Sequence, residues 1–554
     1  MTARRFGDTG LVVDVATLAD AHRLGAELTR RAATGSGPWV GVEDVVAGID
    51  TVTVIADPVR ADLDALAAAV EAAAMEAAAE GAGAGPDSDR SAPVEIPVVF
   101  DGPDLQAVAG AAGVGTDAVV GMLLDARLTV AMIGFAPGFA YLAGLPASLA
   151  AVPRRNTART SVPAGSVAIA GGFAAVYPAS SPGGWQLVGR TGATLFQTER
   201  EPYGLLKAGD RVRFTPSPDG LVERAGGDGS PRVALRAGDG RRAVRVEDPG
   251  ALSTVQDLGR VGVAALGVPR AGAADPVGLR VANRLVGNIE GAAAIEATVR
   301  GPVLAFGDDA HVALVGHAPL LLDGLPVPND GVVPIRRGQR LTVGMVRRGA
   351  RVVVAVSGGI DIDPVLGSRS SDLLCGLGPG PLRAGDALPL GAPGRPRGDR
   401  APVLPATDDV IAPDAVVLRV VAGPDRPDLL DHLAQRSWRV GADSNRIGIR
   451  LEGEEGGNAP GPDTSLTSRA MVTGAVQVPP DGRPIVLGCD HATTGGFPVV
   501  ATVVSADHGR LGQCRPGDLV RLVAVTIDEA RRQRAGLERF IASVGQAWYP
   551  TTGA

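Results

Sequence analysis

Apolar and polar residues alternate in short runs along most of the chain, the period of strands with one face against a core. Residues 4–56 show this alternation around one stretch, Thr17–Ala32, with helical character. Ala61–Glu80 is rich in alanine, the strongest helix former, and predicts a second helix. From Pro93 the pattern is again that of strands, interrupted by predicted helices over Pro103–Ala112 and Thr116–Ala126. Two later helices carry end signals. Asp275 can cap, Pro276 suits the first helical position and Gly287-Asn288 is a stop, which predicts a helix over 276–286. Thr526 and Glu529 have capping-box spacing and open a terminal helix reaching about Val544.

Gly81–Ala92, Ser217–Arg242 and Gly391–Asp409 are rich in Gly, Pro, Ser or charge and read as linkers or breaks. They divide the chain into a small α/β domain at 1–90, β domains at 91–222, 243–395 and 396–526, a linker at 223–242 and a helical tail at 527–554. A weak repeat supports related β units. Gly183-Gly184, Gly358-Gly359 and Gly495-Gly496 are each followed, at similar spacing, by a Gly-Asp turn at 209–210, 385–386 and 517–518. A Gly-Asp turn before an alternating strand is a common hairpin device, and three in step predict three copies of one unit.

With 554 residues, 77 of them Gly and 43 Pro, the chain can build several cores from short strands and tight turns. A net charge of −7 with both signs interspersed argues against nucleic acid or a membrane surface as partner. No window approaches the ~18 uninterrupted apolar residues of a membrane span, and the N-terminus lacks the apolar core of a secretory signal. Cys375, Cys489 and Cys514 are widely spaced, which fits a reduced, cytoplasmic location without disulfides. The histidines show no HExxH or HxH spacing, so no metal site is expected. Lys207 is the only lysine, and its surroundings are neither a P-loop nor a biotin-attachment motif. ATP or biotin, if used, is bound by other means or supplied by a partner.

Candidate chemistry lies in Gly/Pro loops. Gly134–Leu142 places Phe135, Phe139 and Tyr141 among two Gly and one Pro, a shaped loop expected to wall a small cavity, with Trp185 downstream to complete it. The alternative is a buried aromatic turn that plugs a barrel end. Arg154, Arg155 and Arg159 can match a carboxylate or an acyl-phosphate bidentately, or form a solvated basic surface. Gln256 and Thr254 offer neutral hydrogen bonds to an amide and Asp257 a base, although Asp257 and Arg260 have the spacing of a simple ion pair. Asn283 lies on the capped helix, and Asn288 and Glu296 lie beside or beyond it. Asp490, His491, Thr493 and Thr494 precede Gly495-Gly496, and His491 can titrate near neutrality or serve structure. No GxSxG elbow or amidase signature is present.

The run GFAPGFAYLAGLP, followed by VPRRNTARTSVPAGSVAIAG and YPASSPGGWQLVGRT, resembles allophanate hydrolase subunit 1, which is also called the B subunit of 5-oxoprolinase. EDPGALSTVQDLGRVG, GVPRAGAADPVGLRVANRLVGN, GSRSSDLL, SNRIGIRLEG and VQVPPDGRPIVLGCDHATTGGFP resemble allophanate hydrolase subunit 2, or the C subunit of 5-oxoprolinase. Together the two sets cover residues 4–216 and 243–523 and imply a natural fusion. The resemblance implies a mainly β protein with an α/β N-terminal domain and tandem cyclophilin-like β-barrels. It implies a component of an ATP-dependent 5-oxoprolinase that works with a separate LamB/YcsF-type protein, the A subunit, on a small amide or lactam. Alternatives are the carboxyltransferase part of a biotin-dependent urea or amide carboxylase, and a protein-binding regulator of a histidine kinase; a homo-oligomer is left open. Through the motifs that hold them, Arg369, Arg446 and Gln477 join the expected substrate-binding residues, with Gln256, Asp257, Asp490 and His491 as the expected catalytic set.

Overall fold

The computed structural model describes residues 1–81, 92–199, 201–217, 235, 242–397, 415–453, 459, 461 and 466–545. Of the expected linkers and breaks at Gly81–Ala92, Ser217–Arg242 and Gly391–Asp409, residues 82–91, 218–234, 236–241 and 398–409 lie outside these residues. All the expected helices form, each within two or three residues of its expected ends. Thr17 caps Leu18–Ala32 by accepting the Asp20 N–H at 3.2 Å, and Asp275 caps Pro276–Leu285 by accepting the Gly278 N–H at 2.8 Å. The Thr526–Glu529 capping box opens Ile527–Ser543.

Four β layers follow in order. Strands Ala3–Arg5, Gly10–Asp14, Thr51–Ala56 and Val42–Ala47 pair in that order into an antiparallel sheet, covered on one face by Leu18–Ala32 and Leu63–Gly81. The second domain is a seven-stranded sheet whose edges meet through a bridge between Val99 and Arg190, so the sheet curls around Ile96, Val130, Leu142, Ile169 and Phe214. The third is two sheets of six and five strands packed face to face over Val246, Ile295, Leu304, Val312 and Val354. The fourth is a closed seven-stranded barrel around Leu418, Trp438, Leu451 and Val503. The chain is thus mainly β with an α/β start, as the sequence leads one to expect.

The three Gly-Asp turns divide unequally. Those at 209–210 and 517–518 lead into Arg211–Pro216 and Leu519–Ala524, and each of these strands pairs parallel with its domain's first strand, Val94–Val98 or Ala415–Ala422. The turn at 385–386 leads into the three-residue strand Ala387–Pro389, which pairs antiparallel with Ala243–Asp248. Two copies of one unit are therefore present; the third domain uses the same turn in an open sandwich.

The two halves of the chain share a core. Phe6 and Val12 of the first sheet are fully buried against Met471, Val472, Ala475 and Val499 of the last barrel. Arg469 lies 5.7 Å from the Phe6 ring centroid, a cation–π contact. The buried Asp8 carboxylate accepts the Ser505 hydroxyl at 2.6 Å and the Ser505 N–H at 3.0 Å. Asp44 accepts N–H groups from Gly262 and Ala264 at 3.1 and 2.8 Å, and burial raises its pKa to about 6. All of these seam contacts lie outside the stretch that joins the two halves. A chain cut within 218–241 is expected to co-purify as a complex of two halves in size-exclusion chromatography. Phe6→Ala, by emptying a filled apolar site at a cost of about 3–5 kcal/mol, should weaken that complex.

Candidate functional site

Three segments of the C-terminal half converge beside this seam. The strand Leu252–Gln256 runs into the turn 257–262, the segment 365–378 wraps over it, and the segment 488–494 approaches from the last barrel. Asp257 organises the first contact. Its Oδ1 accepts the Ser368 and Ser370 hydroxyls at 2.6 and 2.5 Å and the Gly259 N–H at 2.8 Å, while its Oδ2 accepts the Arg369 N–H at 2.6 Å. The second contact is made by Arg446. Its Nε and Nη2 donate to the two oxygens of Asp490, both at 2.8 Å, and Nη2 also donates to the Gly272 carbonyl at 2.6 Å. Its Nη1 donates to Glu296, whose other oxygen accepts the Ala274 N–H at 2.7 Å. Asp490, Glu296 and Arg446 are all buried, so this fork joins the third and fourth domains through charges that water does not screen.

Against this rigid frame lies a cavity of about 460 Å³. It opens between the first sheet, the 258–276 segment and the last barrel, and its lining includes Asp44, Arg260, Arg270, Arg446, His491 and Thr493. Several buried polar atoms without partners among the described residues lie here. Arg260 is 2% exposed, donates to the Ser370 carbonyl at 2.6 Å and the Val365 carbonyl at 3.2 Å, and leaves Nη1 without a hydrogen bond. Thr493 Oγ1 in the lining, and Gln256 Oε1 and Ser371 Oγ outside it, are likewise unpartnered. Buried polar groups are normally satisfied, so several orphans around one hollow mark a place built for a polar guest. His491 Nδ1 lies 2.7 Å from the Ala492 carbonyl and must donate to it, and burial lowers the imidazole pKa. The ring is then neutral, with Nε2 left as a proton acceptor. Asp372, absent from the expected site residues, sits beside Arg260; burial, reinforced by the Asp490 carboxylate, raises it to about 6.

The aromatic loop meets this region from the other half of the chain. The Phe135 N–H donates to Thr494 Oγ1 at 3.0 Å, the Tyr141 hydroxyl meets the same side chain, and the Gly138 N–H donates to the Leu266 carbonyl at 2.9 Å. A Cβ on Gly134 would lie 2.3 Å from Thr494 Oγ1, so only glycine permits this approach. Phe135 itself is held at φ 67°, a strained value for a residue with a side chain. Phe139, Tyr141, Tyr177 and Trp185 pack edge to face with centroids 5.1–5.8 Å apart. These rings fill a core rather than wall a cavity. Phe135 alone among the loop aromatics is substantially exposed.

Other expected ligands are placed elsewhere. Arg155 and Arg159 both donate at 2.8 Å to Asp104 Oδ1, and Asp104 Oδ2 accepts the Leu187 N–H. The pair therefore pins its own loop to the barrel instead of forming an open clamp. Arg154 stays exposed near Tyr141 and Tyr177. Asn283 donates to the Glu290 and Ala292 carbonyls and accepts from Asn288, tying off the capped helix. Arg369 turns to the Ile362 carbonyl and to Asp361, and Gln477 to the Phe497 carbonyl and the Met471 sulfur. Asp257 and Asp490, expected to exchange protons, have their oxygens committed to the contacts above. Arg260, Arg446, His491 and Thr493 are the expected residues that the cavity gathers; Gln256 is fully buried outside its lining. Of the residues that the sequence did not single out, Asp372 lies within the GSRSSDLL run, whereas Asp44 and Asp104 carry no local signal.

The carboxyltransferase domain model for subdomains C and D matches residues 1–206, and that for subdomains A and B matches 266–524. The C subunit of 5-oxoprolinase from Escherichia coli (strain K12) is 34% identical over 313 residues, covering 54% of this chain and 96% of that protein. The chain belongs to this carboxyltransferase-domain family. The B subunit of 5-oxoprolinase from Bacillus subtilis (strain 168) is 47% identical over 124 residues, 22% of this chain and 51% of that protein. Urea amidolyase of Lachancea kluyveri is 32% identical over 331 residues, 54% of this chain but 18% of that protein. The crystal structure of TTHA0988 superposes with a TM-score of 0.81 at 34% identity, covering 93% of this chain and 99% of that one. Within the family this chain is a B/C fusion, and its seam is where the two modules meet.

Two substitutions separate frame from site. Arg446→Leu leaves two buried carboxylates facing each other and is expected to cost about 3–5 kcal/mol in denaturant unfolding. Asp372 has a folded pKa of about 6, above its unfolded value, so its contribution to stability is present in acid and lost as pH rises through about 6. Asp372→Asn should therefore gain stability relative to the parent between pH 4 and 7, by about 3 kcal/mol if the shift is fully realised, as read from pH-dependent melting curves.

Proposed function

We propose that the chain is the fused B and C component of an ATP-dependent 5-oxoprolinase, which opens 5-oxoproline to glutamate together with a separate LamB/YcsF-type protein as its A component. The observation that carries this reading is the likeness of one chain to both kinds of 5-oxoprolinase subunit, in tandem, with the orphan-lined cavity lying beside their junction. In this reading the unpartnered Nη1 of Arg260 receives the substrate carboxylate, for which a guanidinium is the strongest neutral-pH partner. Thr493 Oγ1 holds the lactam amide. Neutral His491 accepts the proton of the attacking water. A stable lactam opens only when its amide oxygen is activated, and phosphoryl transfer from ATP within the complex supplies that. The position of the cavity between domains limits the access of bulk water to the activated species.

The likeness to urea amidolyase favours a second reading, the carboxyltransferase part of a biotin-dependent carboxylase. Its carrier would come from another chain, since Lys207 is not in an attachment motif. The same cavity then holds urea.

The purified chain with the LamB/YcsF-type protein and ATP is expected to release glutamate from 5-oxoproline, and neither protein alone should do so. Arg260→Met should lower kcat/KM about 10²-fold or more, the loss typical of removing one preorganised donor. Turnover by the chain alone, or carboxylation of urea by added carboxybiotin carrier without 5-oxoproline turnover, would overturn this assignment.

A further inference from the structure

The loop that carries Arg260 is held from the other half of the chain. Its neck is closed by two hydrogen bonds, from the Arg260 N–H to the Arg270 carbonyl at 2.7 Å and from the Ala273 N–H to the Asp257 carbonyl at 2.9 Å. Beyond the neck, residues 261–269 form a short helical turn, Ala264–Leu266. Among the described residues, the hydrogen bonds that leave 261–269 all go to the first half: Asp44 accepts the N–H groups of Gly262 and Ala264, and the Leu266 carbonyl accepts that of Gly138. A Cβ on Gly267, held at φ 76°, would lie 2.4 Å from the Ala136 carbonyl oxygen, so the tip of the loop is also pressed against the backbone of the second domain.

Two adjacent carboxylates do most of this work. Glu43 and Asp44 lie on the strand Val42–Ala47, and consecutive side chains of a regular strand leave on opposite faces. The pairing of this strand with Thr51–Ala56 shifts register between Val42 and Asp44, and such a bulge re-aims side chains. Here both carboxylates reach one loop. Asp44 takes the two N–H groups that follow Arg260, and Glu43 takes the Arg270 guanidinium in a fork, Nη2 to Oε1 at 3.2 Å and Nη1 to Oε2. Arg270 is the residue whose carbonyl receives the Arg260 N–H. The Arg260 backbone is thus gripped on both sides by the first half, while its side chain is fixed by the Ser370 and Val365 carbonyls of the second. Glu43, Asp44, Arg260 and Arg270 all line the cavity. A cation anchored at both backbone and side chain presents its remaining N–H in one direction, which is what a preorganised site requires.

We propose that Asp44, with Glu43 in support, is a positioning residue for Arg260, by which the first half aims the carboxylate-binding group that the second half carries. Both act through the loop. Their effect falls on recognition of the substrate carboxylate and not on the lactam ring, so they favour lactams that bear a carboxylate over those that do not. The inference rests on the reading of Arg260 as the partner of that carboxylate.

Two measurements on the full chain test it. In hydrogen exchange, Asp44→Ala should speed the Arg260, Leu266 and Gly267 amides about tenfold, although none of them is bonded to Asp44 itself, while 365–378 stays as protected as in the parent. In calorimetry the same variant should raise the Kd for 5-oxoproline about tenfold (about 1.4 kcal/mol) and leave unchanged that for pyrrolidinone, the same ring without the carboxylate. Asp44→Asn, which keeps a carbonyl acceptor, should recover most of both losses. Glu43→Gln, which loosens Arg270 alone, should reproduce the pattern by an independent route. Parent-like exchange of those three amides in both Asp44→Ala and Glu43→Gln, or an equal loss of affinity for the two lactams, would overturn the proposal. A parent that binds neither lactam would instead overturn the assignment of the cavity, and exchange of the three amides would then decide the positioning alone.

Discussion

A guanidinium taken out of water must find nearly all its hydrogen bonds in protein, or the domain that buries it does not close. Arg446 meets that demand with three acceptors drawn from three places: the Asp490 carboxylate of the last barrel, the Glu296 carboxylate of the third domain, and the Gly272 carbonyl between them. Each carboxylate is in turn deeply buried and needs the cation as much as the cation needs it. Such a fork adds little net stability over an apolar contact, yet it tolerates only one relative placement of the two domains. That placement sets the hollow in which Arg260, His491 and Thr493 meet. Arg260, His491 and Thr493 are therefore held in place by a fork of buried charges.

The first half contributes to the same region by a different device. Its aromatic loop is a packed plug, and what it offers to the seam is backbone and one hydroxyl: Phe135 N–H and the Tyr141 hydroxyl on Thr494, Gly138 N–H on Leu266. Thr493 and Thr494 are neighbours in sequence, one facing the cavity and the other the loop. The two halves thus meet at a single turn of chain beside the cavity. This gives a physical reason for modules B and C to act as one body whether or not a linker joins them.

Much of the fold was legible locally. Helix ends were set by groups that act within four residues, Thr17 on Asp20, Asp275 on Gly278, Thr526 on Glu529, so their spacing was readable. The Gly-Asp turns announced strands for the same reason, but whether the following strand closes a barrel or lies in an open sandwich depends on its partner, Val94–Val98, Ala415–Ala422 or Ala243–Asp248, a whole domain away in the chain. The site was legible in part. Arg260, His491 and Thr493 stood in recognisable motifs. The fates of Asp257, Arg155 and Arg159 were not readable, because a carboxylate or guanidinium looks the same in sequence whether it faces a ligand or an internal partner.

By itself the sequence determined the secondary structure, the domain order and the family, since these rest on short-range periodicity, capping and motif runs. Only the tertiary structure decided which polar groups are spent on one another and which are left over. Ser368, Ser370 and Arg369 satisfy Asp257, Asp104 satisfies Arg155 and Arg159, and nothing among the described residues satisfies Arg260 Nη1, Thr493 Oγ1 or Gln256 Oε1. Hydrogen-bond satisfaction is a sum over neighbours in space, and those neighbours come from segments that no local pattern relates.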